Sequence, residues 1–391
     1  PSMLLEGDLE HIKGIIIKEG TRTSHVSILA SGLEIPAIVG CNDALKIAPD
    51  EYVYMDGEKG VVIYAMSDEE LEECRKLQRI YKDEQLKLEK YINTQLVSSD
   101  GERFSLYVNI ADAMILDKAL RYNIDGVGLF RTEFIFMGRS NLPSEDEQFA
   151  AYSYAAEKLG GRPLIIRTLD IGGDKEIKCI EFPKESNPFM GYRGIRIYDD
   201  NSEIIFAQLR AILRASCKGN VQVMFPMIAV VQEIKTMLEL LETAKSQLRS
   251  KNVAFNEQIK VGIMVEVPSA ALLLDKLSRY VDFVSIGSND LTQYTYAVDR
   301  LNEKVSYLYN FMDPAVLRLI KHTIDVAQRE GIECSLCGEM AGDPVGMAIL
   351  VILGLNKFSV SPSNILRAKK YMQTLDCSVL RQSADKLLEA E

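Results

Sequence analysis

The sequence predicts an α/β protein dominated by a closed (β/α)8 barrel, and three observations carry that expectation. From residue 100 onward, eight apolar β-rich runs alternate with helical stretches over roughly 280 residues, the period of a strand-helix barrel. A polar or reactive residue ends nearly every one of those runs, as the C-terminal rim of such a barrel requires. Ahead of them stand a small β-rich module and one densely charged helical segment. An open doubly wound sheet is the alternative arrangement of the same elements.

Residues 1–66 carry the short runs GIII, IPAIVG and YVYMDGEKGVVIY, and the DGEKG turn between two alternating segments predicts a hairpin. TSHVSILASGL between them has helical spacing, with Ile28 and Leu29 apolar and Ser24 placed to cap. Residues 67–99 form a linker expected to be mostly one exposed helix. Ser67 and Glu70 make a capping box, and Leu71, Leu77, Ile80, Tyr81, Leu88 and Tyr91 mark an apolar stripe in a segment without Gly or Pro. At 1.5 Å per residue such an arm is roughly 40 Å long.

Residues 100–391 hold the barrel. Its strands are expected in SLYVNI, GVGLF, LIIRTL, VQVMFPMI, KVGIMVEV, VDFVSIG, CSLCG and KFSVS. The helices between them are expected at 145–159, 202–217, 230–249, 268–279, 313–330 and 344–353. The strand-end residues are then Asn109, Arg131, Arg167, Glu266, Asn289 with Asp290, Cys337 and Ser361, all on one face.

These residue types suit one chemistry. Glu266 and Asp290 offer hard oxygen ligands from neighbouring strand ends, appropriate for Mg²⁺ beside a phosphorylated substrate. Arg131 and Arg167 present planar cations whose forks match phosphate and carboxylate groups, with Arg300 placed to return to the same pocket and Arg193 a weaker addition. The structural alternative is that Glu133 or Asp170 neutralises an arginine and that the carboxylates only cap helices. Cys337 at the rim is either a thiol acid or nucleophile, or an inert buried cysteine.

Bulk composition narrows the classes. With 47% hydrophobic and 26% charged residues the chain is an ordinary globular sequence, and a net charge of −11 argues against general nucleic-acid binding. No apolar run reaches membrane-spanning length and no signal-peptide pattern opens the chain, so a cytoplasmic protein is expected. Seven scattered cysteines read as reduced thiols. Cys334 and Cys337 form a CxxC, but a zinc site would require a second ligand pair that the sequence does not place nearby. The opening residue is not methionine, and the sequence is read as a piece of a longer protein.

The stretches GLFRTEFIF, DEQFAAY, IIRTLDIGGDKE, NPFMGYRGIRI, MFPMI, VEVPSA, SIGSNDLTQYTYAVDR and CGEMAGD run through the whole barrel segment. Together they resemble the phosphoenolpyruvate-binding domain of Enzyme I of the bacterial sugar phosphotransferase system. TSH with GLEIPAIVG extends the resemblance to its small swivelling phosphohistidine domain. The resemblance implies that His25 is transiently phosphorylated through Nε2. It implies that Arg131, Arg167, Asn289, Asp290 and Arg300 hold phosphoenolpyruvate, that Glu266 and Asp290 bind Mg²⁺, and that Cys337 protonates the enolate as pyruvate forms. It also implies a homodimer and transfer to the carrier protein HPr, whose docking domain is expected upstream of residue 1. The chain departs from the family pattern at Thr21, where a glycine is usual, and at Ser31, where an arginine is usual. A pyruvate phosphate dikinase or phosphoenolpyruvate synthase, and a non-catalytic phosphoenolpyruvate-sensing dimer, are the alternative functions.

Overall fold

The computed structural model describes residues 11–19, 30, 35–57, 59–137, 139–173, 177, 180, 182–300, 302 and 304–382. The chain divides into two compact units, Pro1–Ile92 and Asn93–Glu391. His25 and the rest of the TSH segment lie outside the described residues.

In the first unit, β1 (Ile15–Ile16) pairs in parallel with β2 (Ala37–Ile38). The hairpin expected around DGEKG forms from β3 (Tyr54–Asp56) and β4 (Val61–Ile63), antiparallel with Tyr54 opposite Ile63. The charged helix spans Asp68–Glu89, and both bonds of the Ser67–Glu70 capping box are present. It is shorter than expected. Tyr91, Ile92, Asn93 and Thr94 are poor helix formers that lead the chain out. Leu96–Val97, taken as linker in the sequence, instead becomes β5 and joins the second unit.

The second unit is the barrel. Eight strands, β6 (Arg103–Ile110), β7 (Gly126–Arg131), β8 (Leu164–Arg167), β9 (Val221–Phe225), β10 (Lys260–Val265), β11 (Phe283–Ile286), β12 (Glu333–Leu336) and β13 (Lys357–Val360), follow one another in parallel. β13 pairs back onto β6, from Lys357 opposite Ser105 to Val360 opposite Val108, and closes the ring. β5 adds antiparallel to β6. The eight strands coincide with the eight runs legible in the sequence, because strands buried on both faces must be near-continuously apolar.

Local signals set the helix ends. The Glu145–Leu159 helix starts on a Ser144–Glu147 capping box and stops at left-handed Gly160. Pro314–Glu330 begins with Pro at its first turn and ends at Gly331. The helix expected over 268–279 is broken into Pro268–Leu272, Leu274–Leu277 and a 3-10 turn. Between the helices and the strands lies the main core, where Phe130 and Tyr152 meet edge to face at 5.7 Å. A separate apolar cluster of Leu129, Ile165, Met224, Met264, Phe283 and Cys337, one residue from each of six strands or strand ends, fills the lumen. Its members alternate with outward-facing neighbours, so Arg131, Arg167 and Glu266, two positions further along, point inward above it. Among the described residues no helix is long and apolar enough to cross a membrane.

Candidate active site

The strand ends of β7 and β8 place Arg131 and Arg167 side by side, paired in register. Their surroundings differ. Arg167 is buried, with Nη2 on Glu133 Oε1 and Nη1 3.1 Å from Asp170 Oδ2. Burial works against its charge, yet Glu133 and Asp170 together raise its pKa above the ordinary arginine value. Both carboxylates proposed from sequence as neutralising partners therefore do contact it. Arg131 makes no ion pair within 4 Å among the described residues, and burial and the neighbouring Arg167 charge pull its pKa down. An under-neutralised guanidinium at a cleft wall favours an incoming anion.

Across the rim, β10 ends at Glu266. Its Oε1 accepts from the Met227 backbone N–H at 2.7 Å, while buried Oε2 has no hydrogen-bond partner among the described residues. Burial, then the charges of Asp290 and Asp170, push the Glu266 carboxyl well above the usual range. Gly287 makes room for it, since a Cβ there would stand 3.0 Å from the Glu266 Cβ. Asp290 sits in the first turn of the Ser288–Tyr296 helix, with Arg193 Nη2 3.4 Å from Oδ2 and Arg300 Nη1 3.6 Å from Oδ1. An orphaned buried carboxylate oxygen beside a second carboxylate is the donor set of a hard divalent cation, so these residues fit one.

Arg193 is far more central than its sequence context suggested. It is buried, and its Nη2 lies 3.1 Å from Asp170 Oδ2, while Nη1 is 3.0 Å from the Tyr294 hydroxyl. That hydroxyl donates to Phe189 O, fastening the loop that carries Arg193 to the Asp290 helix. Four arginines (131, 167, 193, 300) thus face four carboxylates (Glu133, Asp170, Glu266, Asp290) in one basin. Tyr294 escaped the sequence reading because nothing in QYTYAV distinguishes it from an amphipathic helix position.

Cys337 follows β12 directly and is buried, its Sγ 3.7 Å from the Ile286 carbonyl. Burial raises its thiol pKa, against the pull of Ser285, Arg167 and Arg131, and favours the protonated form at neutral pH. Arg131, Cys337, Asn109, Glu339, Asp343 and Ser361 line an open cleft of ≈ 860 Å³. Asn289 presents its Oδ1 to the Glu339 backbone N–H at 3.0 Å, at the edge of the same region.

Comparison with known proteins identifies the family. Residues 85–377 match the family described as PEP-utilising enzyme, PEP-binding domain, and residues 1–60 match its mobile domain. The chain is 44% identical over 376 residues to the phosphoenolpyruvate-protein phosphotransferase of Geobacillus stearothermophilus, covering 96% of this chain and 65% of that protein. It is 42% identical over 389 residues to that of Listeria innocua, covering 99% of this chain and 68% of the relative. It is 44% identical over 390 residues to that of Haemophilus influenzae, covering 100% and 68%. The chain spans about two thirds of the length of these relatives. It belongs to the phosphoenolpyruvate-utilising enzymes, among the phosphoenolpyruvate-protein phosphotransferases.

Proposed function

We propose that this chain takes the phosphoryl group from phosphoenolpyruvate onto His25 and passes it to the carrier protein HPr, the first step of sugar uptake by the phosphotransferase system. The observation that carries the reading is Arg131, a half-buried guanidinium at the end of β7 without a carboxylate partner among the described residues, lining the cleft with Cys337 and standing beside Arg167. The names of the relatives, phosphoenolpyruvate-protein phosphotransferases, support this substrate and a protein acceptor. A cytoplasmic homodimer is part of the same proposal, and sedimentation of the whole chain at micromolar concentration is expected to give the dimer mass; a monomer throughout contradicts that part.

In this reading Arg131 and Arg300 grip the outer oxygens of the ligand, while Arg167 and Arg193, held by Glu133 and Asp170, fix the direction of charge. Asn289 supplies a neutral contact. Glu266 and Asp290 would hold Mg²⁺, which supplies charge neutralisation at the phosphate when bound. Phosphoryl transfer depends mainly on positioning and electrostatics, and a basin of preset guanidinium groups provides both. As the C–O–P bridge breaks, the Cys337 S–H gives its proton to the methylene carbon of the enolate, and the resulting thiolate recovers a proton from water.

One pyruvate released per chain phosphorylated, in the presence of Mg²⁺, is the expected stoichiometry; phosphoenolpyruvate left intact overturns the reading. Cys337→Ala is expected to keep phosphoenolpyruvate affinity, because a neutral thiol adds little to holding a multiply charged ligand. Pyruvate formation should slow by about 10²-fold, the contribution of a positioned general acid, and lose stereospecificity at the methyl carbon. Normal rate with intact stereospecificity would make Cys337 a packing residue.

A further inference from the structure

The end of β12 is held differently from its neighbours. β10 and β11 pair through four residues, but β12 and β13 pair only at Leu336 and Phe358. Just beyond that single pairing, the Cys337 carbonyl accepts from Asn109 Nδ2 at 2.9 Å. Asn109 belongs to β6, on the far side of β13, so its carboxamide bridges a whole strand to reach β12. The same Nδ2 lies 3.2 Å from the Ser359 carbonyl on β13, and Ser359 Oγ donates to Asn109 Oδ1 at 2.6 Å. Three strands of the closing seam are therefore tied by one amide.

The orientation of that amide is dictated. Turned over, it would set its oxygen against two carbonyls and its NH₂ against a hydroxyl, losing both donor bonds. Space for Ser359 is kept by Gly128, where a Cβ would stand 2.4 Å from Ser359 Oγ. No other side-chain bond to the Cys337 backbone is found among the described residues. On the β11 side the Cys337 N–H donates to the Ile286 carbonyl at 3.1 Å; on the lightly laddered β13 side the Asn109 amide is the clamp, and it bears on where the thiol sits.

We propose that Asn109 is a positioning residue: through the Cys337 carbonyl it fixes the main chain so that the thiol meets the enolate carbon from one face. This deepens the proposed reaction and rests on Cys337 being its proton donor. Asn109 acts on the protonation step and not on the grip of the arginines, so its loss should fall on turnover and stereochemistry and spare affinity.

The test uses the whole chain with Asn109→Leu, a near-isostere without polar atoms, and Ser359→Ala, which leaves the bond to Cys337 but frees the amide oxygen. Phosphoenolpyruvate affinity with Mg²⁺ is read by calorimetry, and turnover and methyl stereochemistry from stereospecifically monodeuterated phosphoenolpyruvate turned over in tritiated water, which makes the methyl group chiral. Iodoacetamide labelling of Cys337 is read by peptide mass spectrometry, with exposed Cys217 as internal reference. For Asn109→Leu the expected result is about 10- to 100-fold slower pyruvate formation with stereospecificity lost. Affinity should stay within about twofold, and Cys337 should label about tenfold faster relative to Cys217, as expected when a buried group is loosened by a lost clamp. Ser359→Ala should move the same readouts in the same direction by less. Wild-type stereochemistry and labelling in both variants overturn the proposal, and so does a loss confined to affinity, which would make Asn109 a ligand contact. If Cys337→Ala itself still forms pyruvate stereospecifically, the proton-donor reading fails, and the labelling arm alone decides whether Asn109 clamps the strand end.

Discussion

Arg167→Lys is expected to slow phosphoryl transfer from phosphoenolpyruvate by on the order of 10²-fold or more. The guanidinium is bound at both ends, Nη2 by Glu133 and Nη1 by Asp170 at 3.1 Å, and Asp170 in turn braces Arg193. A lysine ammonium is a single point charge. It can satisfy one of the two carboxylates and leaves the other buried, so both the aim of the charge and the position of Arg193 are lost. Breaking one contact of this buried ion-pair network also lowers stability, although Asp170 keeps Arg193, so the rate must be measured below the melting transition, with circular dichroism as control. The single-turnover rate of pyruvate formation in folded protein is the deciding quantity. A folded Arg167→Lys chain at nearly the wild-type rate would leave Arg167 a structural residue only.

Glu266→Gln is expected to abolish the mutual enhancement of Mg²⁺ and phosphoenolpyruvate binding. Four arginines and four carboxylates nearly balance in the basin, so a phosphate and a carboxylate entering together add uncompensated negative charge. A divalent cation on Glu266 and Asp290 offsets it, and each ligand then makes the other's binding favourable. Glutamine keeps the shape and the bond to the Met227 N–H but removes one anionic ligand. Stability should move the other way. The raised Glu266 pKa means that the ionised carboxylate is less favourable in the folded chain than in the unfolded one. Stability due to its neutral form is lost as pH rises through that raised pKa, so a neutral glutamine should melt no lower than the parent at neutral pH. Calorimetry in which phosphoenolpyruvate still binds more tightly with Mg²⁺ in the variant would remove Glu266 from the site.

The barrel was legible because its information is local. Runs such as KVGIMVEV and VDFVSIG announce strands buried on both faces, and the charged residue at each end announces the rim. Arg131, Arg167, Glu266 and Asp290 follow from that rule alone. What the sequence hid depends on register and on distance along the chain. Arg193 stands among glycines and a proline in a loop, and its importance appears only when Asp170 and Asp290 converge on it. Asn109 reaches across a strand to a carbonyl 228 positions later, a relation that no periodicity encodes. The linker was overextended for a related reason: Leu96–Val97 fits the end of a charged helix in isolation, and leaves it because β6 offers a partner.

The fate of the phosphoryl group decides whether His25 is the acceptor. The whole chain and its His25→Ala variant would each be incubated with ³²P-labelled phosphoenolpyruvate and Mg²⁺, then digested and mapped. Acid-labile, base-stable label is expected on the His25 peptide of the parent and none on the variant, with phosphoenolpyruvate binding equally to both. Equal labelling of the His25→Ala chain at another residue would contradict that role.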